Sequence, residues 1–322
     1  MKEWDYKKLS IAVFGDYCLD EYLWVDAALN EPSLETGLVA YQCTKRETYP
    51  GAAGTIAKNL AHLGLGAVYA IGYVGDDGRG FDLCQGLDSL GIKRDFLTIA
   101  KGRVTPTYTK PWLRENGEVR ELNRIDTKNW TPTPQELEDS AIAGIKSLIT
   151  GGSLNALIIL DQMTEEDCGI ITGRVRKALA DIARENPKLL VYGDSRCRTE
   201  LFEGMMIKGN NHEIPPETCE ALYKKNGRPV INTLGEKGVA LYAGAAPIKV
   251  PGVRVEGQID VSGAGDMFTA NFVAALSAGA DLKEAAQIGN VAAALCVKQL
   301  GTSGRVTVED ILAFSKTLPL VE

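Results

Sequence analysis

Histidine is almost missing: the 322 residues contain two, His62 and His212. A zinc centre built on several histidines is thereby excluded, as is a catalytic triad that uses neither of these two. The seven cysteines form no C-x-x-C pair and their number is odd, so reduced, mostly buried thiols are expected rather than a disulfide framework. No stretch reaches the roughly 18 apolar residues that cross a bilayer, and Met1 leads into Lys2, Glu3 and Asp5 without the apolar run of a signal peptide. A cytoplasmic location is the expectation. Basic residues are outnumbered, 35 Lys plus Arg against 42 Asp plus Glu, for a formal charge of −7. That balance argues against an extended nucleic-acid surface, though not against a small phosphate-binding patch. Neither G-x-G-x-x-G nor G-x-x-x-x-G-K-[ST] occurs, which argues against a nicotinamide oxidoreductase and an ordinary P-loop enzyme.

What is present reads as an ordinary globular chain, 45% hydrophobic and 24% charged, long enough to bury a core without staples. Short apolar runs at Leu9 to Phe14, Ala67 to Tyr73, Asn155 to Leu160, Leu189 to Tyr192, Met205 to Ile207 and Val230 to Asn232 predict buried strands. Between them lie helical patterns within Gly51 to Gly64, Gly80 to Leu90, Gly265 to Ala278 and Leu282 to Gln299. Thr133 to Glu136, Thr164 to Asp167 and Thr307 to Asp310 read as capping boxes that open further helices, the second running to about Asn186. Alternation of this kind predicts one α/β domain over residues 1–322, a mostly parallel central sheet covered by helices on both faces. Ligands sit outside the carboxyl ends of such strands. Here those ends carry Gly15-Asp16, Asp161, Asp194 and Asn210-Asn211, a rim suited to sugar hydroxyls and metal ions. Two stretches break the pattern, about 21–48 and 107–126, and predict a small β-sheet lid over the rim, with Pro111 marking an edge strand.

The sharpest local signal is Asp260-Val261-Ser262-Gly263-Ala264-Gly265-Asp266 ahead of an apolar helix. Gly-Ala-Gly at a helix start leaves backbone N–H groups facing open space, and the macrodipole adds positive potential. An anion fits there, and Asp266 beside it can take a proton from an attacking hydroxyl. A tight turn with an Asp that only stabilises the helix start is the plainer alternative.

Gly263 to Asp266 preceded by Asp260 resembles the signature of the ribokinase-like (PfkB) carbohydrate kinases. Further pieces follow in that family's order: Pro50 to Thr55 with Asn59, Leu60, Leu63 and Gly64; Gly72 to Gly80; Asn210-Asn211-His212-Glu213; and Thr233 to Gly238. Within the family, Gly15-Asp16 with Leu19-Asp20, Arg124-Ile125-Asp126 and Asp194-Ser195-Arg196 look most like the heptose-phosphate kinase branch.

The resemblance implies a ribokinase-like fold and transfer of the γ-phosphate of ATP, with Mg2+, to a hydroxyl of a sugar or sugar phosphate. By the same resemblance Asp266 is the general base, and Gly263, Ala264 and Gly265 form the anion hole. Glu213 and Asn210 position magnesium through water. Thr233, Gly235, Glu236 and Gly238 wrap the nucleotide, Lys208 reaches its phosphates, and Asn290 lies beside the adenine. Asp16, Asp20, Gly51, Ala52 and Thr55 hold the sugar. Arg124, with Lys110, Arg114 and Arg120, either forms a solvated face or grips a phosphate already on the sugar. The loop at Asp260 is implied to bear a monovalent cation such as K+. Two departures stand out: Ala52 where the family has a second glycine, and Thr55 where it commonly has an Asn that contacts sugar. The lid edges predict a homodimer. The rival from another class is a sugar or nucleotide sensor without catalysis.

Overall fold

The apolar runs become strands in the computed structural model, which describes residues 4–152, 154–299 and 304–317. The first half of the chain holds β1 (Ser10–Gly15), β2 (Tyr17–Asp26), β3 (Glu31–Pro32), β4 (Val39–Ala40), β5 (Cys43–Ala52), α1 (Ala53–His62), β6 (Ala67–Gly75), α2 (Gly78–Ser89), β7 (Lys93–Ala100), β8 (Thr107–Glu115), β9 (Glu118–Glu121), β10 (Ile125–Thr127) and α3 (Gln135–Thr150). The second half holds β11 (Ala156–Asp161), α4 (Gly173–Glu185), β12 (Leu190–Ser195), β13 (Met206–Asn210), α5 (Pro216–Asn226), β14 (Val230–Thr233), β15 (Val239–Tyr242), β16 (Ile248–Val250), α6 (Ala264–Ser277), α7 (Leu282–Val297) and α8 (Val308–Ser315).

One sheet of nine strands runs β16-β15-β14-β13-β12-β11-β1-β6-β7. It is parallel from β14 to β7, and β15 and β16 close one side antiparallel. Every residue of β1 and β11 is buried, as continuous apolar runs flanked by helices require. Side chains alternate between two cores. Ile11, Val13 and Ile158 join Phe268 and Phe272 of α6 and Ala285 and Val291 of α7 on one face. Ala12, Phe14, Leu157 and Ile159 join Ile145 of α3 and Val175 and Leu179 of α4 on the other. Each buried Val, Leu, Ile or Phe among them contributes about 1.5–3 kcal/mol.

The stretches at 21–48 and 107–126 fall largely in a second, mixed sheet, β10-β8-β2-β5 with β9 also on β8. Strand β8 is not at its edge, contrary to the expectation from Pro111, because it pairs with β2 on one side and with β9 and β10 on the other. The proline is tolerated because it falls in the gap between β9 and β10. β10 pairs with Thr107 to Thr109 and β9 with Trp112 to Glu115, so no strand residue on that side pairs with Pro111.

Of the three expected capping boxes, Thr307 with Asp310 forms. Thr133 does not cap: its hydroxyl donates to the Gly169 carbonyl at 2.7 Å, and α3 starts without a side-chain cap. The helix expected from Thr164 starts only at Gly173, capped by Thr172. Residues 162–170 are drawn instead around the buried carboxylate of Asp16, which competes for their N–H groups. Strand β7 and helix α5 carry too many polar residues for hydrophobic periodicity to reveal them, while β15 and β16, of four and three residues, are too short to show any period.

Candidate active site

The carboxyl ends of β12 and β13 meet the start of α6. Gly263 holds φ 74°, ψ 0°, a left-handed conformation that glycine adopts without a Cβ penalty, and turns the chain into α6. No side chain caps this helix. Ala264 N–H reaches the Val261 carbonyl at 3.3 Å, and Met267 N–H the Gly263 carbonyl at 2.9 Å. The N–H groups of Gly265 and Asp266 have no acceptor among the described residues, so two donors and the helix dipole point outward together. Asp260 accepts the Ser262 N–H at 2.9 Å and so shapes the turn that precedes them.

Lys208 reaches this point from β13. A Cβ on Gly265 would lie 3.3 Å from its ammonium, so the glycine lets the lysine approach closely. Lys208 and Asp194 are both 5% exposed and pair at 2.5 Å. Burial pulls the Lys208 pKa down, but Asp194, Glu213 and Asp266 outweigh it and the net shift is upward, so the lysine stays charged. Asp266 responds in the opposite sense. Burial first, then the charges of Asp194 and Asp20, raise its pKa to about 6, against the pull of Lys208 and Arg196. A carboxylate with that value is a stronger base than usual and still mostly ionised near neutrality.

The N-x-x-E segment closes on itself. Asn210 Oδ1 accepts the N–H groups of His212 and Glu213 at 2.8 and 3.1 Å, and Glu213 Oε2 accepts the Asn210 N–H at 2.9 Å. Asn210 therefore orders the turn that carries Glu213. Glu213 Oε1 faces Arg196 at 3.5 Å. It is a hard oxygen donor at the rim, of the kind magnesium takes through water. In the segment expected to wrap the nucleotide, residues 235–237 form a short 3-10 turn, Leu234 N–H bonds the Gly238 carbonyl at 2.8 Å, and Thr233 ends β14. Glu236 is exposed on it. Asn290 donates from α7 to the Pro251 carbonyl at 2.9 Å, so its amide ties α7 to the segment after β16.

The sugar-side expectations divide. Asp20 on β2 holds Lys110 of β8 at 2.9 Å, and a Cβ on Gly51 would come within 2.7 Å of its other oxygen. Asp20, Gly51 and Lys110 thus share one face of the second sheet, and Asp20 acts electrostatically on Asp266. Asp16 is held differently from Asp20. It is 5% exposed and accepts N–H groups of Gln162, Met163 and Ile170 at 2.8–3.0 Å, turned into the protein. Thr55 is buried too, its hydroxyl turned to the Pro50 carbonyl at 3.3 Å. Ala52 holds φ 52°, ψ −118°, a conformation glycine takes more readily, at the position where the family signature has its second glycine. Arg124 grips Asp126 through two bonds and lies 5.0 Å over Tyr108, while Arg114 and Arg120 are exposed. Asp16→Ala should free residues 162–170: faster amide exchange there, against an unchanged β14, is the expected readout. Equal exchange in both variants would show that the loop does not depend on this carboxylate.

Comparison with known proteins decides the family. The model described as pfkB family carbohydrate kinase matches residues 10–173 and 199–308. The chain belongs to that family. This PfkB kinase is 27% identical over 317 residues to the bifunctional protein HldE of Bradyrhizobium sp. (strain ORS 278), covering 93% of the chain and 62% of HldE. It thus spans less than two thirds of that relative's length. Its fold matches Arabidopsis thaliana ribokinase complexed with ribose and ATP (TM-score 0.69, 19% identity, 96% and 99% of the two chains). It also matches a putative ribokinase II from E. coli in complex with ATP and Mg2+ (TM-score 0.68, 17% identity, 96% and 99%).

Three charged residues of this PfkB kinase escaped the sequence reading as site residues. Asp194 was read only as rim, and Arg196 only as part of a branch motif. Lys58 on α1 is 8% exposed, with its pKa lowered by burial against the charges of Cys296, Asp20 and Asp266. The available signal was charge inside otherwise apolar elements, as in Ile-Lys-Gly of β13 and Ile-Ala-Lys-Asn-Leu of α1. A cavity of about 500 Å³ between α4, α5 and β13 lies at the opposite strand ends and holds none of these residues. No helix among the described residues is long and apolar enough to cross a membrane.

Proposed function

We propose that this carbohydrate kinase moves the γ-phosphoryl group of ATP onto a hydroxyl of a sugar or, as in the heptose-phosphate branch its motifs resemble, a sugar phosphate. One observation carries the reading: an ionisable carboxylate, Asp266, stands in the first turn of an uncapped helix beside a buried, charged lysine. Asp266 takes the hydroxyl proton as the oxygen attacks the γ-phosphorus. The bond from that phosphorus to the bridging oxygen breaks and ADP leaves. The N–H groups of Gly265 and Asp266, with Lys208, hold the phosphoryl oxygens, where negative charge spreads in the transition state. When bound, Mg2+ offsets phosphate charge, and Glu213 is the residue to hold it through water.

Asp20 and the Gly51 backbone are placed to grasp sugar hydroxyls. Lys110, tied only to Asp20 and Tyr22, is the lid cation nearest to them and would meet an anionic group on the sugar. The second sheet serves as the lid that excludes water. A K+ ion at the Asp260 loop belongs to the same proposal, although residues 300–303 lie outside the described structure. So does a homodimer through the lid, whose residues Leu34, Leu38 and Val39 are exposed.

An ADP-release assay over matched free and phosphorylated sugars tests the reading. ATP-dependent release with at least one sugar, and higher kcat/KM for phosphosugars, is the expected result. Tight binding of sugar and ATP with no release across the panel would make the protein a sensor.

A further inference from the structure

Two arginines follow the end of β12, two residues apart, and they are held in opposite ways. Arg198 is locked inward. Its Nε and Nη2 grip Asp161 at 3.0 and 2.7 Å, its Nη1 donates to the Thr164 carbonyl at 3.2 Å, and Nη2 also meets the Met163 carbonyl. Its side chain is 13% exposed and that of Asp161 1%. Arg196 lies across the mouth of the strands. Its Nε reaches Gln162 Oε1 at 3.2 Å, its Nη1 reaches Glu213 Oε1 only at 3.5 Å, and its side chain is 54% exposed. Gln162 follows β11 and Glu213 follows β13, so the guanidinium spans the outlet of β12 on the side of Lys208 and Asp266. Its charge is felt at Asp266.

The pair is long, at 3.5 Å, and the Arg196 side chain is 54% exposed, so water can take over its charge; Glu213, only 9% exposed, keeps the Asn210 N–H on its other oxygen when the arginine moves. A phosphoryl group carries more charge than a carboxylate and offers oxygens that a guanidinium fork meets two at a time. We propose that Arg196 is a second phosphoryl-binding cation beside Lys208, which exchanges Glu213 for the oxygens of the transferred group. The exchange frees Glu213 as Arg196 turns to the phosphoryl. This inference rests on the phosphoryl-transfer reading of the site, but it is decided by nucleotide binding as well as by turnover.

Arg196→Met and Arg196→Lys test it, with Arg198→Met as a comparison for folding. For Arg196→Met, turnover should fall about 10²-fold or more, as for loss of one preorganised charge donor. Arg196→Lys, which keeps the charge without the fork, should recover part of that loss. Calorimetric titration should show weaker binding of an ATP analogue with nitrogen bridging its β and γ phosphorus, by about tenfold, with ADP affinity unchanged, since only the analogue carries a γ-phosphoryl. Without ligand, Arg196→Met should melt with the wild type, while Arg198→Met melts lower because it leaves Asp161 buried and unpaired. Equal weakening of ADP and analogue, or a melting loss as large as that of Arg198→Met, would overturn the assignment and make Arg196 structural. If no sugar is phosphorylated by the wild type, the catalytic reading fails. A preference for the analogue over ADP that Arg196→Met erases would still support the binding role, and its persistence would refute it.

Discussion

Replacing Asp266 by Asn should lower turnover by about 10²-fold or more, because an amide cannot accept the hydroxyl proton. ATP affinity should change little, since the outward N–H groups and Lys208 remain in place. In the wild type, turnover should fall as pH drops below about 6, where Asp266 becomes protonated. The variant should lack that limb. The same change should stabilise the fold. The folded Asp266 gives up its proton at about 6 rather than the usual 3.8. Between those values the folded state holds the proton and the unfolded state does not. This group therefore lowers stability as pH rises through the window, and near neutrality the cost is on the order of 1–3 kcal/mol. Asp266→Asn should melt higher than the wild type near pH 7 and converge with it near pH 4. Near wild-type turnover in the variant would remove Asp266 from the chemistry. A lower melting temperature at neutral pH would show that its charge is not the strained element it is taken to be.

Lys208→Met should be the most damaging single change to stability in the site. Lys208 and Asp194 are each about as buried as a core residue, and their ion pair at 2.5 Å is what offsets the cost of burying both charges. Removing the lysine leaves Asp194 beside Asp266 and Glu213 with its main counter-charge gone. The expected loss is about 3 kcal/mol, read by urea denaturation. Turnover should collapse as well, because the ammonium stands at the start of α6. The double variant Lys208→Met with Asp194→Asn separates the two effects: stability should return, since no unpaired charge is left, while activity should not. Recovery of both would reduce Lys208 to a structural counter-ion.

Much of the fold could be read from the chain because the local signals agree with the tertiary arrangement. Short apolar runs such as Leu157 to Leu160 have one way to be buried, as inner strands of a parallel sheet, and α6 is apolar nearly all round. Gly263 to Asp266 was legible for a similar reason. A bare turn and the acid at the helix start that follows it lie within four residues, so their geometry is set locally. The misreadings arise where a long-range partner overrides a local pattern. Thr164 and Asp167 had the spacing of a cap, but Asp16, some 150 residues earlier, accepts the N–H groups of Gln162, Met163 and Ile170 on either side of them. Nothing in the sequence near Asp16 shows that Gln162, Met163 and Ile170 will donate to it.

By itself the sequence determined the layered α/β architecture, the bare turn at Gly263 and the acid beside it, since each depends on residues within a few positions of one another. Only the tertiary structure decided which of the rim carboxylates faces outward. It left Asp20 near Asp266, sealed Asp16 and Asp161 inside, matched Asp194 to Lys208, and set Arg196 loose while fixing Arg198. Those outcomes depend on burial and on partners from distant strands, and the free energy of a charge in a protein is governed by both.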